Sequence, residues 1–299
     1  MAKVLESLSQ DLAGQVEATG PAIVRVEGRR RLPASGVIWS DDGQIVTAHH
    51  VLERDQGLRI GLADGTTVEA KLIGRDPTTD LALLQADGAG PGANWQDTDM
   101  LSVGHLVLAL GRPRRTVQAT LGIVSALGQV WRTPIGGQVD RYLQTDVVMY
   151  PGFSGGPLVA ADGAVVGLNS SALLRGVSLT VPTETIRRVA AELGEHGRVR
   201  RGYLGVAAQP AELPKAVAGE LGREIGLLLV TVEADSPAEA AGLALGDTIV
   251  ALDGLAVETL DDLGVPLSPD RIGAEVSVQV LRGGELMERK LTIGERPSR

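Results

Sequence analysis

From Ala22 to about Val181 the chain is a succession of short β-like runs broken by turn signals: AIVRV, GVIWS, QIVTA, LRIGL, VEAKLI, LALLQ, LVLAL, ATLGIVSA, RYLQT, AVVGLNS and VSLTV. Asp42-Gly43, Asp64-Gly65 and Asp162-Gly163 stand between such runs. Asp-Gly is a strong hairpin signal because glycine accepts the positive φ that a tight turn demands. Roughly a dozen short strands without long intervening helices predict a barrel or a pair of barrels. The 39 glycines suit such a turn-rich β protein better than a helical bundle. Aromatic residues make up only 2% of the chain, so the core must be built from Val, Leu, Ile and Ala.

Two other kinds of segment flank this region. Val4, Leu5, Leu8, Leu12 and Val16 recur at helical spacing, which predicts an amphipathic helix over residues 1–20, ending near Gly20-Pro21. A second helix is expected with Thr183 as its N-cap, Ile186, Val189, Ala190 and Leu193 on one face, and Gly194 as its stop. After Gly197 the composition changes to a mixed α/β unit. There Ser236-Pro237-Ala238-Glu239 carries an N-cap, a proline at the first helical position and a capping-box glutamate. A further helix is expected from Thr259, limited by Pro266. With 299 residues the chain is long for one domain and comfortable for two. The division read here is 1–20, 21–195 and 196–299, with the Gly- and Arg-rich segment Glu195–Arg201 as the boundary.

Composition excludes several functions. With no cysteine, a thiol nucleophile, a thiolate metal site and a disulfide framework are all ruled out. A net charge of -9 argues against a nucleic-acid partner, whose phosphates need a basic face. Arg29–Arg31 and Arg112, Arg114 and Arg115 read as solvated loop charges. No Walker-type glycine loop is present and the four histidines lack a ligand-like arrangement, so neither cofactor nor metal is expected. No apolar run approaches the ~20 residues of a membrane span. The first twenty residues, charged at Lys3, Glu6, Asp11 and Glu17, carry no secretory apolar segment.

Three segments carry chemistry, in chain order: TAHHVL at 47–52, TTDLALL at 78–84 and PGFSGGPLV at 151–159. A serine hydroxyl is a poor nucleophile unless a base takes its proton, and a carboxylate must orient that base. Ser154 is crowded by Gly152, Gly155 and Gly156, small residues that permit a tight turn whose amides converge on a developing oxyanion. His50 follows a predicted strand and Asp80 opens another, so both can reach a cleft between two barrels. His49 and Asp76 are the rival base and carboxylate, and a Gly-Ser-Gly-Gly run by itself is also what a flexible turn looks like.

Together these segments resemble the HtrA/Deg family of trypsin-like serine proteases. The likeness runs through SGVIWSDDGQIVTAHHVL, LADGTTVEAKLIGRDPTTDLALL, LGRPRRTVQATLGIVSALGQ and LQTDVVMYPGFSGGPLVAADGAVVGLNSS. It implies a mainly β fold, with a chymotrypsin-like double β-barrel followed by an α/β PDZ domain. By this match His50, directly before Val51, is the general base, Asp80 its orienting partner and Ser154 the nucleophile, while the amides of Gly152 and Ser154 form the oxyanion hole. The implied enzyme is an ATP-independent serine endopeptidase of protein quality control acting on unfolded proteins. Phe153 departs from the family, which has asparagine there, and the alternative reading is a proteolytically inert chaperone or peptide-binding adaptor. The strand after the nucleophile implies an apolar specificity pocket at Val177, Leu179 and Val181, next to Leu173. RGYLGV at 201–206 resembles the carboxylate-binding loop of a PDZ domain. Amides around Tyr203–Gly205 would hold a peptide C-terminus, with the peptide adding as a strand beside Leu204–Ala208. Arg201, Tyr203, Leu204, Gly205, Val206 and Leu263 are the candidate contacts, with PDZ core and a solvated Arg201 as the plainer readings. The family also implies a homo-oligomer, with a trimer weakened by the lack of N-terminal aromatics, and a periplasmic or other extracytoplasmic setting.

Overall fold

A computed structural model of the chain describes residues 2–263 and 267–296. The chain divides into two compact units, Met1–Val199 and Arg200–Arg299. In the first, helix α1 (Ala2–Thr19) precedes strands β1 (Ile23–Glu27), β2 (Ala34–Ile38), β3 (Gln44–Ala48), β4 (Leu58–Gly61), β5 (Thr67–Asp76) and β6 (Leu81–Gln85). These six close into a barrel in the order β1-β2-β3-β6-β5-β4. There follow β7 (Leu106–Gly111), β8 (Gln118–Leu127), the small hairpin β9 (Trp131–Arg132) and β10 (Gln138–Val139), then β11 (Leu143–Thr145), β12 (Pro157–Ala160), β13 (Val165–Ser170) and β14 (Ser178–Pro182). β11-β14-β13-β12-β7-β8 close a second barrel. The fold is mainly β and chymotrypsin-like.

The three Asp-Gly pairs turn the chain where expected, with φ of 87° at Gly43, 90° at Gly65 and 89° at Gly163. The first core is aliphatic, with Val24, Val26, Val37, Ile38, Ile45, Leu58, Ile60, Leu83 and Leu84 essentially inaccessible. Each such side chain contributes about 1.5–3 kcal/mol by leaving water, so many small aliphatics can stand in for absent aromatics. On α1, Leu12 and Val16 pack against Ile23, Leu108, Leu110, Val159 and Val165. Val4 and Leu5, by contrast, are 70% and 66% exposed.

Helix α2 (Thr183–His196) buries Ile186, Val189, Ala190 and Leu193 against first-barrel residues. Its ends differ from expectation. Pro182 occupies the N-cap and Thr183 is already helical, while Gly194 lies inside the helix and Gly197 caps it in the left-handed conformation, donating to the Leu193 carbonyl. A lone interior glycine costs only about 1 kcal/mol, which burial of the apolar face readily exceeds. Arg112 is also not a solvated charge. It is 6% exposed, and its guanidinium donates to the carbonyls of Gly20, Ile23 and Arg115 at 2.7–2.8 Å.

The second unit contains β15 (Gly202–Tyr203), β16 (Val206–Glu212), α3 (Lys215–Leu221), β17 (Ile225–Val232), α4 (Pro237–Ala240), β18 (Thr248–Leu252), β19 (Leu255–Ala256), β20 (Glu275–Arg282), β21 (Glu285–Thr292) and β22 (Gly294–Glu295). One sheet runs β16-β17-β18-β20-β21 with β19 attached to β18, and β15 pairs with β22. Strand β16 is therefore an edge. Ser236 caps α4 by accepting the Glu239 amide at 3.2 Å, and Glu239 reaches back to the Asp235 amide. Of the helix expected from Thr259, the described residues show a 3-10 turn, Leu260–Leu263. Asp262 there accepts the amides of Glu258 and Thr259, closing the start of the turn. Pro266 lies outside the described residues.

Candidate active site

Pairing of β3 with β6 sets Ala48 opposite Leu81, which brings the ends of the two strands, and with them His50 and Asp80, side by side. His49, His50 and Val51 form a 3-10 turn directly after β3. Asp80 has φ of 57°, a left-handed conformation uncommon for a residue with a side chain. Three bonds hold it there: its carbonyl accepts the His49 amide at 2.9 Å, Oδ1 accepts the His50 amide at 2.9 Å, and Oδ2 lies 2.8 Å from His50 Nδ1. Ser170 Oγ donates to the same Oδ2 at 2.5 Å. Asp80 is 4% exposed, so this carboxylate is fully engaged in a nearly dry environment. A carboxylate on Nδ1 places the imidazole proton there and leaves Nε2 as the free acceptor, the tautomer that a general base needs.

The rival residues have other partners. Asp76 accepts the Thr78 amide and the hydroxyls of Thr78 and Thr79, closing the turn between β5 and β6. His49 has a buried Nδ1 without a hydrogen-bond partner among the described residues. Burial, then the Arg75 charge, lowers its pKa below the ordinary histidine value. Asp146 accepts the Ile123 amide and is structural.

Ser154 sits on the turn from Pro151 to Gly156, in the second barrel. Gly152 has φ of 96°, and a Cβ there would lie 2.4 Å from Pro113 Cβ and 2.9 Å from the Pro33 carbonyl. Gly155 is as confined: φ is 85° and a Cβ would come within 2.1 Å of the Ser35 carbonyl. Phe153, in the position where a polar residue was expected, is fully buried in the second-barrel core and meets Tyr150 edge-on at 5.7 Å. Apolar burial thus anchors the turn where a side-chain hydrogen bond would otherwise do so. The amides of Gly152 and Ser154 have no hydrogen-bond partner among the described residues, whereas the Phe153, Gly155 and Gly156 amides bond to Tyr150, Asn169 and Phe153 carbonyls. Two free N–H groups two residues apart on a rigid turn are the donors an oxyanion requires.

Ser154 and His50, the candidate nucleophile and base, are not bonded to each other. Ser154 Oγ lies 3.0 Å from Ser171 Oγ and makes no hydrogen bond to His50. Catalytic hydrogen bonds are often loose without substrate and tighten when it binds. Ser170 and Ser171 were not singled out from sequence. The only signal was their place at the end of AVVGLNSS, which β13 carries back past the nucleophile turn.

Of the three pocket candidates, Leu179 and Val181 are buried in the core, at 1% and 0% exposure, and Val177 is half-buried. In the second unit Leu204 is 3% exposed and belongs to the core with Leu227, Leu229 and Leu263. Gly205 is buried with φ of 82°, and Arg201, Tyr203 and Val206 are half-buried. The carbonyls of Leu204 and Gly205 accept the Ala238 and Glu233 amides at 2.8 Å, while their own amides have no partner among the described residues. The Tyr203 hydroxyl donates to Glu233 at 2.5 Å. The free edge of β16 starts beside this loop, and the Leu260–Leu263 turn packs next to that strand. Among the described residues, no group of three or more His, Asp or Glu side chains could hold a metal.

Comparison with known proteins agrees with this geometry. Residues 34–168 match the trypsin-like peptidase domain and residues 202–293 match the PDZ domain. A relative described as a probable periplasmic serine endoprotease DegP-like, from Ectopseudomonas mendocina, is 37% identical over 98% of this chain and 64% of its own length. The serine protease Do-like HtrA of Bacillus subtilis is 35% identical over 88% of this chain and 63% of its own length. The chain thus spans less than two thirds of these relatives. Among solved structures, the HtrA-type protease AlgW with a tripeptide superposes with a TM-score of 0.77 at 31% identity, covering 96% of this chain and 98% of the other. The same protease with a decapeptide gives 0.80 at 28% identity over 96% and 99%.

Proposed function

The chain belongs to the HtrA family of trypsin-like serine proteases, and we propose that it is an ATP-independent endopeptidase of protein quality control that cleaves unfolded chains. The observation that carries this reading is the buried Asp80 carboxylate bonded to His50 Nδ1 and to Ser170, whose neighbour Ser171 bonds Ser154 on a turn with two unpaired amides. In the mechanism His50 Nε2 takes the Ser154 proton as Oγ attacks the scissile carbonyl, and Asp80 stabilises the imidazolium that forms. The Gly152 and Ser154 amides receive the oxyanion. His50 then returns the proton to the departing amine, and water hydrolyses the acyl-enzyme by the same steps. In this mechanism Ser154 Oγ exchanges its bond to Ser171 for one to His50.

The accessible pocket residue, Val177, supports cleavage after small or medium aliphatic side chains. The second unit would take peptide C-termini: the terminal carboxylate at the Leu204 and Gly205 amides, and the peptide as an added strand on β16. The exposed Val4, Leu5 and Leu8 of α1 support a homo-oligomer, a trimer being the family's arrangement. The naming of relatives as periplasmic supports an extracytoplasmic setting. Among the described residues no helix is long and apolar enough to cross a membrane.

The test is casein degradation by the native protein and by Ser154→Ala, with fluorophosphonate labelling of both. Native protein should degrade and label, and the variant should do neither. The second reading, an inert chaperone or adaptor, is favoured by one observation, that Ser154 Oγ bonds to Ser171 and not to His50. Folded native protein that neither labels nor degrades casein would establish it.

A further inference from the structure

The oxyanion turn is held by a residue of the other barrel. Ser35, on β2, is completely buried. Its hydroxyl donates to the Gly152 carbonyl at 2.7 Å and accepts the Arg112 amide at 2.8 Å. Its own amide donates to the Ser154 carbonyl at 3.2 Å. Its carbonyl accepts Thr47 Oγ at 2.7 Å, which fixes Ser35 in turn. One serine therefore grips the carbonyls on both sides of Phe153.

The Gly152–Phe153 peptide is bonded at both ends, its carbonyl to Ser35 and its N–H to the Tyr150 carbonyl at 3.0 Å. The Phe153–Ser154 peptide is held by its carbonyl, which accepts the Gly156 amide at 2.8 Å, and leaves the Ser154 N–H free. The Gly152 N–H lies on the Pro151–Gly152 peptide. The relative direction of the two free N–H groups is thus set by rotation about Gly152 and Phe153, on either side of the Gly152–Phe153 peptide, and glycine offers little intrinsic resistance to its share of that rotation. Two bonds restrain the Gly152–Phe153 peptide, Tyr150 at its N–H and the Ser35 hydroxyl at its carbonyl, and the second comes from the other barrel.

Resting on the reading of Gly152 and Ser154 as the oxyanion site, we propose that Ser35 is a positioning residue of the protease, holding the Gly152–Phe153 peptide so that both amides point at the same oxygen. Removing the hydroxyl leaves the Gly152 carbonyl and the Arg112 amide buried without a partner, and the turn can rotate to satisfy them. The damage should fall on the transition state rather than on substrate binding, because only the tetrahedral oxyanion needs both donors together.

The test is Ser35→Ala and Ser35→Cys, with rates on a peptide substrate normalised to active sites counted by end-point fluorophosphonate labelling. Affinity for a peptide boronate, which places an oxygen in the oxyanion site, is measured alongside. Ser35→Ala should lower kcat about ten- to hundred-fold with KM within about twofold, and weaken the boronate in proportion to kcat/KM. Ser35→Cys, keeping a weak donor of similar size, should fall between. If the alanine variant does not fold, the cysteine variant decides: lowered kcat at unchanged KM is expected, and native kcat overturns the proposal. Native kcat and boronate affinity in Ser35→Ala also overturn it. Absence of hydrolysis and labelling in the native protein would instead overturn the protease reading itself.

Discussion

The nucleophile turn at 151–156 and the loop at 202–206 solve the same problem to different tolerances. Each uses a buried glycine in the left-handed region, Gly152 at 96° and Gly205 at 82°, where any Cβ would collide with its surroundings. Each sits beside a fully buried apolar anchor, Phe153 or Leu204. Each ties off carbonyls and leaves neighbouring amides without a partner among the described residues, which we propose receive an incoming oxygen. The supports differ. The nucleophile turn is braced from the opposite barrel by a buried serine, and the other loop is held by amides of its own unit and a half-exposed tyrosine. An oxyanion lasts only for the transition state, so donors that must reorganise give no rate advantage. A terminal carboxylate is permanent and can wait for a loop to adjust. Rigidity is placed where timing demands it.

The largest expected effect separates the two sites completely. Ser154→Ala should reduce turnover roughly 10⁴-fold or more while leaving the affinity of the second unit for a hydrophobic C-terminal peptide within about twofold. Peptide affinity measured by fluorescence anisotropy in parallel with casein degradation reads both. A large loss of peptide affinity in this variant would mean that the two loops are not independent devices.

Matched glycine substitutions come next. A Cβ on Gly152 meets Pro113 and the Pro33 carbonyl, so Gly152→Ala should displace the donor amide and lower kcat by about 10²–10³-fold. A Cβ on Gly205 would lie 2.1 Å from Ser236 Cβ, so Gly205→Ala should weaken the C-terminal peptide by about tenfold, the loss of roughly one hydrogen bond. Hydrolysis of a short peptide lacking a C-terminal anchor should be unaffected by the second change. If Gly205→Ala lowers that rate as much as Gly152→Ala does, the division of labour between the loops is wrong.

Most of what shaped the two barrels was legible locally. Asp-Gly pairs at 42–43, 64–65 and 162–163 announced their turns, since a positive φ is a property of the residue that adopts it. The apolar face of α2 was readable for the same reason, but its end was not: Gly194 and Gly197 look alike in sequence, and only packing decides which one the helix passes through. His50, Asp80 and Ser154 stood out because each lies in a motif. Ser35, Ser170 and Arg112 did not, because their importance lies in bonds to residues 77 to 117 positions away, which leave no local pattern. Leu179, Val181 and Leu204 show the converse, where apolar character alone does not distinguish a pocket wall from the core behind it.

The smallest effect probes how exposed the second loop is to charge. The Tyr203 hydroxyl donates to the Glu233 carboxylate, and this bond, ahead of desolvation and the Glu233 charge, raises the phenol pKa above its ordinary value. A raised pKa means that the phenol keeps its proton for this bond throughout the neutral range and loses it as pH climbs through the raised value. Peptide affinity should therefore owe no pH dependence near neutrality to this pair. Glu233 also places a negative charge beside the amides proposed to receive a carboxylate. Glu233→Gln should remove that repulsion and tighten the C-terminal peptide about two- to threefold at low ionic strength, an advantage that fades in about 0.5 M salt as screening shortens to a few ångström. A C-terminally amidated peptide should gain nothing from the substitution. Equal gains for acid and amide would show that the loop does not hold the terminal carboxylate. In that event the free amides at Leu204 and Gly205 would have no counterpart to those at Gly152 and Ser154.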